Sequence, residues 1–111
     1  MRPMVFKPTV VVPDAPGGLT VSDAGILVWG DPTPLGGLDA AGVFTTGNAK
    51  NEIGFIIQRA PVVAGVVGAF AEIGKAAANL ISWSDSTRIA GETYAYQVLA
   101  YNVAGNSLPS N

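Results

Sequence analysis

Between Thr93 and Tyr101, the residues Tyr94, Tyr96, Val98 and Ala100 fall at every second position. That spacing predicts a strand with one buried face. The alternation stops at Asn102, passes Gly105 and resumes as a short strand. Leu27 and Trp29 alternate with Ile26 and Val28, and Phe55 and Ile57 alternate with Ile56 and Gln58. Leu19 and Val21 share a face, and Phe70–Ile73 and Asn79–Asp85 are shorter segments of the same kind. Asp31-Pro32 and Ala90-Gly91-Glu92 supply turn signals between them. Seven or eight short strands separated by turns predict an all-β, two-sheet antiparallel sandwich. The one stretch long enough for a helix, Val62 to Ala78, contains Gly65, Gly68 and Gly74, which argue against it. The expected core is Leu19, Val21, Leu27, Trp29, Phe55 and Ile57 from the first half. Phe70, Ile73, Ile81, Trp83, Tyr94, Tyr96, Val98 and Ala100 complete it.

Two stretches break the pattern. Gly30 to Asn51 is glycine-rich and without period, longer than a compact domain ordinarily needs. Residues 35–50 are therefore expected to be an insertion. It carries Leu35, Leu38, Val43 and Phe44. Each gains roughly 1.5–3 kcal/mol if fully buried, so it is too apolar to be simply solvated. The four glycines of the stretch oppose ordering it unaided. It is expected to be mobile alone and to order against a neighbouring domain. Pro61 to Gly68 is expected to be a loop, although it carries Val62, Val63, Val66 and Val67. Residues 1–13 hold three prolines and are expected to be a linker or the end of a preceding domain, with Val10–Val12 able to add a short edge strand. Residues 14–111 are expected to be the folded domain.

Composition narrows the chemistry. The 111 residues suit one domain, and 49% hydrophobic residues can build its core. Six basic residues, scattered, and a net charge of −2 argue against nucleic-acid binding. No run of 18 apolar residues occurs, so no membrane insertion is expected. The chain has no histidine and no cysteine, which removes the commonest general base, the commonest metal ligand and all thiol chemistry. The eight carboxylates are spread singly, with no calcium-loop spacing and no paired acids in sequence. No catalytic, cofactor-binding or metal-binding residues are expected, and no cofactor.

The final segment, with a tyrosine near the start of its strand and an Asn102-x-x-Gly105-x-Ser107 ending, resembles the last hairpin of a fibronectin type III domain. Glu52-Ile-Gly54-Phe55-Ile56-Ile57-Gln58-Arg59 resembles the third strand of bacterial members of that family, and Asp14-Ala-Pro16-Gly-Gly-Leu19 resembles their opening. The resemblance covers residues 14–111 apart from the insertion. It implies strands A, B and E in one sheet and C, C′, F and G in the other, with the insertion between B and C. It also implies that Tyr94 is the family's corner tyrosine, whose hydroxyl bonds backbone near the turn from E to F. Such modules are binding and spacer units that rarely catalyse, and the bacterial type is extracellular or periplasmic. Met1-Arg-Pro-Met-Val-Phe6 resembles the last strand of bacterial multicopper oxidases. Together these imply a non-catalytic accessory or spacer module of a larger secreted bacterial enzyme of the multicopper oxidase kind. The competing reading is an independent adhesion or carbohydrate-binding module of a surface protein.

Outward positions on strands C and F suggest where a partner would dock. Ile56, Leu99 and Tyr101 are expected to project from one sheet face, and Leu38 and Phe44 from the insertion. Trp29 and Tyr94 are expected to be structural, buried between the sheets. Trp29 and Trp83 are read as core residues rather than as sugar platforms, because tryptophan has so much area to bury. The expected partner is a neighbouring domain of the same polypeptide or another protein, with the module monomeric in isolation.

Overall fold

The computed structural model describes residues 11–34, 36–39, 41–46, 48 and 50–111. Met1–Phe6, most of the expected linker, Val10 and Leu35 lie outside the described residues. Among the described residues eight strands follow in order: β1 (Gly17–Val21), β2 (Ile26–Gly30), β3 (Gly54–Val63), β4 (Val66–Val67), β5 (Ala71–Ala77), β6 (Ser82–Ser84), β7 (Thr93–Asn102) and β8 (Gly105–Asn106). One sheet has the order β1-β2-β6. The other has the order β4-β3-β7-β8, with β5 also paired to β3. All pairings are antiparallel. The two-sheet partition expected from the sequence is the one observed.

The core lies where the alternation places it. Leu27, Trp29, Phe55, Ile57, Val98 and Ala100 are buried between the sheets, with Leu19 and Ala76 beside them. The rings of Trp29 and Phe55 meet edge to face at 5.4 Å between centroids, a favoured aromatic geometry. Ile73, Trp83 and Tyr96 are partly buried against this cluster. Gly74 makes room for Trp83, because a Cβ there would collide with the indole ring. The fit locks β6 of one sheet onto β5 of the other. Beside it the ladder slips, with Ile57 facing Gly74 but Gln58 facing Glu72, so that Ile73 is a bulged residue.

Four expected core residues differ. Val21, Phe70 and Ile81 are exposed and Tyr94 is half-buried. Val21 faces Leu27 across the ladder but ends its strand, where it lines an open groove. Phe70 precedes β5 and Ile81 precedes the three-residue edge strand β6, so neither is enclosed on both sides. Strand boundaries differ as well. Residues expected to form the loop after Pro61 instead make a hairpin of β3 and β4, with Val62 facing Val67 and Val63 facing Val66. Its two turn residues, Ala64 and Gly65, have φ of 52° and 78°. Two consecutive positive φ angles define the tight hairpin turn that Asn-Gly ordinarily announces. Here alanine takes the first place, so the usual signal is missing. Pro61 is tolerated within β3 because its absent N–H falls where pairing with β5 has ended and pairing with β4 has not begun.

The sandwich has two poles. The β2–β3 connection, the turn from β5 to β6 and the β7–β8 turn share one. The β1–β2, β3–β4 and β6–β7 turns share the other. At one lateral edge Asn111 clips the sheets together, accepting from Leu19 N at 2.8 Å and donating to Leu19 O at 3.3 Å. The chain reaches it by running along β7, where Ser107 and Ser110 hydroxyls accept from Ala100 N and Val98 N at 2.9 Å.

Candidate functional site

The β2–β3 connection is a small hydrogen-bonded hairpin rather than a featureless loop. Asp39 organises its tip. Its Oδ1 accepts from Ala41 N and Val43 N at 2.9 Å, and its Oδ2 accepts from Asn48 Nδ2 at 2.6 Å. These bonds hold its carboxyl below the usual aspartate range. Buried Thr45 closes the base by donating to Pro34 O at 2.6 Å, and Leu38 bridges to Phe44. With these polar groups satisfied inside, the apolar side chains face out. Phe44 is 73% exposed, and Leu38 and Val43 are 53% each. The described apolar residues of this hairpin therefore do not cover its own sandwich.

The same pole receives the leading chain. Asn102 donates to Val11 O at 2.7 Å and to Asn51 O at 3.3 Å, while its Oδ1 accepts from Ala104 N at 2.8 Å. Val11 and Val12 form no strand. Lys50 and Asp14 pair at 3.2 Å. Val103 in the β7–β8 turn and Ile53 before β3 add exposed apolar surface nearby.

The sheet-face half of the expected patch is not free. Ile56 and Leu99 are only 8% and 9% exposed, and Tyr101 is half-buried. Ile56 lies on the central strand, facing Leu99 on one side and Lys75 on the other. Tyr101 lies over Gly54, its Oη 3.0 Å from where a Cβ would sit. The Lys75 ammonium is 5.3 Å from the Tyr101 ring, and Gln97 donates to Gln58 on the other flank. Long polar neighbours thus enclose the two aliphatic residues, which alternation alone does not reveal. Of the five expected contact residues, Leu38 and Phe44 remain presented to solvent.

Polar networks mark both poles. At the pole opposite the hairpin, Asp85 is buried. Its Oδ2 accepts from Arg59 Nη1 at 2.8 Å and Tyr96 Oη at 2.7 Å, and its Oδ1 from Thr87 N at 3.0 Å and Thr87 Oγ1 at 2.8 Å. Burial alone would raise this carboxyl. The bonds from Tyr96, Arg59 and Thr87 outweigh it and hold the pKa at about 2. Burial, then Asp85, pushes the Tyr96 hydroxyl up to about 12. Arg59 also stacks on Tyr94, 4.4 Å from the ring centroid. The Tyr94 hydroxyl accepts from Ile89 N at 3.1 Å in the turn before β7, the bond the resemblance implies. An open groove of about 460 Å³ runs beside it, between Val21–Gly25 and Arg88–Tyr94.

At the hairpin pole Asp31 and Glu52 converge, contrary to the expectation that the carboxylates stand singly. Neither is close to the other in sequence, so no local signal marks the pair. Among the described residues no group of three or more metal-ligating side chains forms.

Comparison with known proteins places the architecture. The fold is immunoglobulin- and fibronectin type III-like. It is similar to the crystal structure of domains A168–A170 from titin, with a TM-score of 0.63 and 22% identity over 90% of this chain and 30% of that one. It is also similar to the structure of titin kinase and its flanking domains, with a TM-score of 0.64 and 23% identity over 90% of this chain and 16% of that one. The chain thus spans less than a third of the length of either. No protein-family model and no curated protein matches. At these identities the likeness concerns the fold, so the poles must be read from their own residues.

Proposed function

We propose that this chain is a non-catalytic fibronectin type III-like accessory module that docks through its β2–β3 hairpin onto a neighbouring domain of the same polypeptide. The exposure of Leu38, Val43 and Phe44 on a hairpin braced by its own hydrogen bonds carries this reading. A braced apolar tip loses little entropy when a partner covers it. Val11 lies at the same pole, which favours a partner joined through the leading segment. The parent in this reading is a larger secreted bacterial enzyme, extracellular or periplasmic. Met1–Phe6 favours one of the multicopper oxidase kind through its resemblance. The module itself supplies no catalytic group, cofactor or metal ligand, and is monomeric in isolation. The alternative of a sugar-binding or adhesion module is less favoured. Trp29 is buried and Trp83 is packed on Gly74, so neither offers a free platform.

The test is hydrogen exchange over residues 36–48 in the isolated module and in the full-length polypeptide. Docking predicts added protection in the full-length protein, lost when Leu38 and Phe44 are both replaced by serine. Equal exchange in both settings would overturn it.

A further inference from the structure

Glu52 is buried, at 8% exposure, yet no cation faces it among the described residues. Its Oε2 accepts from Thr33 Oγ1, and its Oε1 accepts from Asn79 N at 3.2 Å. The Asn79 side-chain amide, turned nitrogen inward, donates to Glu52 Oε1 at 3.3 Å and to Asp31 Oδ2 at 3.2 Å. One nitrogen therefore spans two carboxylates. A cavity of about 110 Å³, lined by Thr33, Asn51, Glu52 and Asn79, adjoins them. The members come from three chain segments. Asp31 and Thr33 follow β2, Glu52 precedes β3, and Asn79 lies in the turn from β5 to β6, held at a φ of 65°.

We propose that Asp31 and Glu52, bridged by Asn79, form a proton-dependent latch at the base of the β2–β3 hairpin. With one proton on the pair, a carboxyl and a carboxylate share a hydrogen bond, and both ends of the hairpin are tied to the β5–β6 turn. With no proton, the charge of half-buried Asp31 faces that of buried Glu52, and the base loosens. Thr33 N, donating to Asp31 Oδ1 at 2.9 Å, is too weak a counterweight. Asp31 is raised from 3.8 to about 6, by burial first, against the Thr33 bond, and then by the charge and hydrogen bond of Glu52. The latch thus opens as pH rises through about 6. It acts on the hairpin base whatever the hairpin tip contacts.

The experiment is an NMR titration of the intact chain from pH 3 to pH 8, following the Asp31 carboxyl carbon and the amides of Thr33, Asn79 and residues 50–53. The expected result is one shared midpoint near 6. Asp31→Asn should abolish that transition at the amides. Asn79→Ala should leave the Asp31 midpoint high and uncouple the amides of residues 78–81 from it. An ordinary aspartate midpoint near 3.8 in the wild type would overturn the proposal. So would an amide transition that survives Asp31→Asn. Saturable Ca²⁺-induced shifts of both carboxyls at neutral pH would replace the proton with a cation and equally overturn it.

Discussion

Asp31 and Asp85 start from the same local arrangement. Each is the first residue after a strand, β2 or β6, and each accepts from the backbone N–H of a threonine two positions on. Around Asp85 the fold then gathers Arg59, Tyr96 and the Thr87 hydroxyl, and the carboxyl settles at about 2. Around Asp31 it gathers Glu52 and Asn79, and the carboxyl rises to about 6. The same backbone arrangement is pushed in opposite directions by partners brought from distant parts of the chain. One pole is a charge-compensated anchor. The other holds an uncompensated pair beneath the exposed hairpin.

The largest effect should come from the core between the poles, which sets the scale for both. Trp29→Ala should cost about 3–5 kcal/mol in urea unfolding, the range for large core truncations. A loss under about 1 kcal/mol would mean the indole is not the packed centre shared by the two sheets.

Next comes the compensated pole. Asp85→Ala leaves Arg59 and Tyr96 without their acceptor and should cost about 3 kcal/mol. Its pH dependence has a definite sign. A carboxyl whose pKa is depressed on folding contributes stability that is present above its unfolded value near 3.8 and lost as pH falls towards about 2. Thermal melts of the wild type should show that loss below about pH 4, and Asp85→Ala should remove this part of it.

The uncompensated pole should respond in the opposite sense. Asp31 is raised on folding, so the folded chain holds a proton that the unfolded chain has released. Stability should fall as pH rises from about 4 to about 6 and stay level above. Asp31→Asn should raise stability at pH 7.5 by about 1 kcal/mol, a figure reduced for solvent screening at this partly exposed group. With both carboxylates acting, the wild type should be most stable near about pH 4. An optimum at neutral pH would remove the contrast between the poles.

The smallest effect on the isolated domain should come from the hairpin tip. Phe44→Ser should change its unfolding free energy by less than about 0.5 kcal/mol, because the ring touches little of its own sandwich. A loss of 2 kcal/mol would make the hairpin an intrinsic cover rather than a docking element.

Much of the architecture was legible in the chain. Alternation at Leu27–Trp29, Phe55–Ile57 and Tyr96–Ala100 determined which faces turn inward, because side chains on a strand alternate with a period of two. The assignment of strands to the two sheets and the hydroxyl bond of Tyr94 came from the fibronectin type III resemblance, not from the alternation. The absence of histidine and cysteine set limits on the chemistry without any structure. Local pattern was silent where burial depends on position within the sheet. Val21 and Ile81 carry the right residue type but sit at strand ends. Ile56 and Leu99 occupy the outward face of central strands, where Tyr101, Lys75 and the glutamines enclose them. The Ala64-Gly65 turn lacked the residues that ordinarily announce it. The state of each buried carboxyl was decided only by the tertiary fold. Asp31 meets Glu52 across 21 residues and Asp85 meets Arg59 across 26, and a charge's energy depends on what stands a few ångströms away in space, not on what precedes it in the chain.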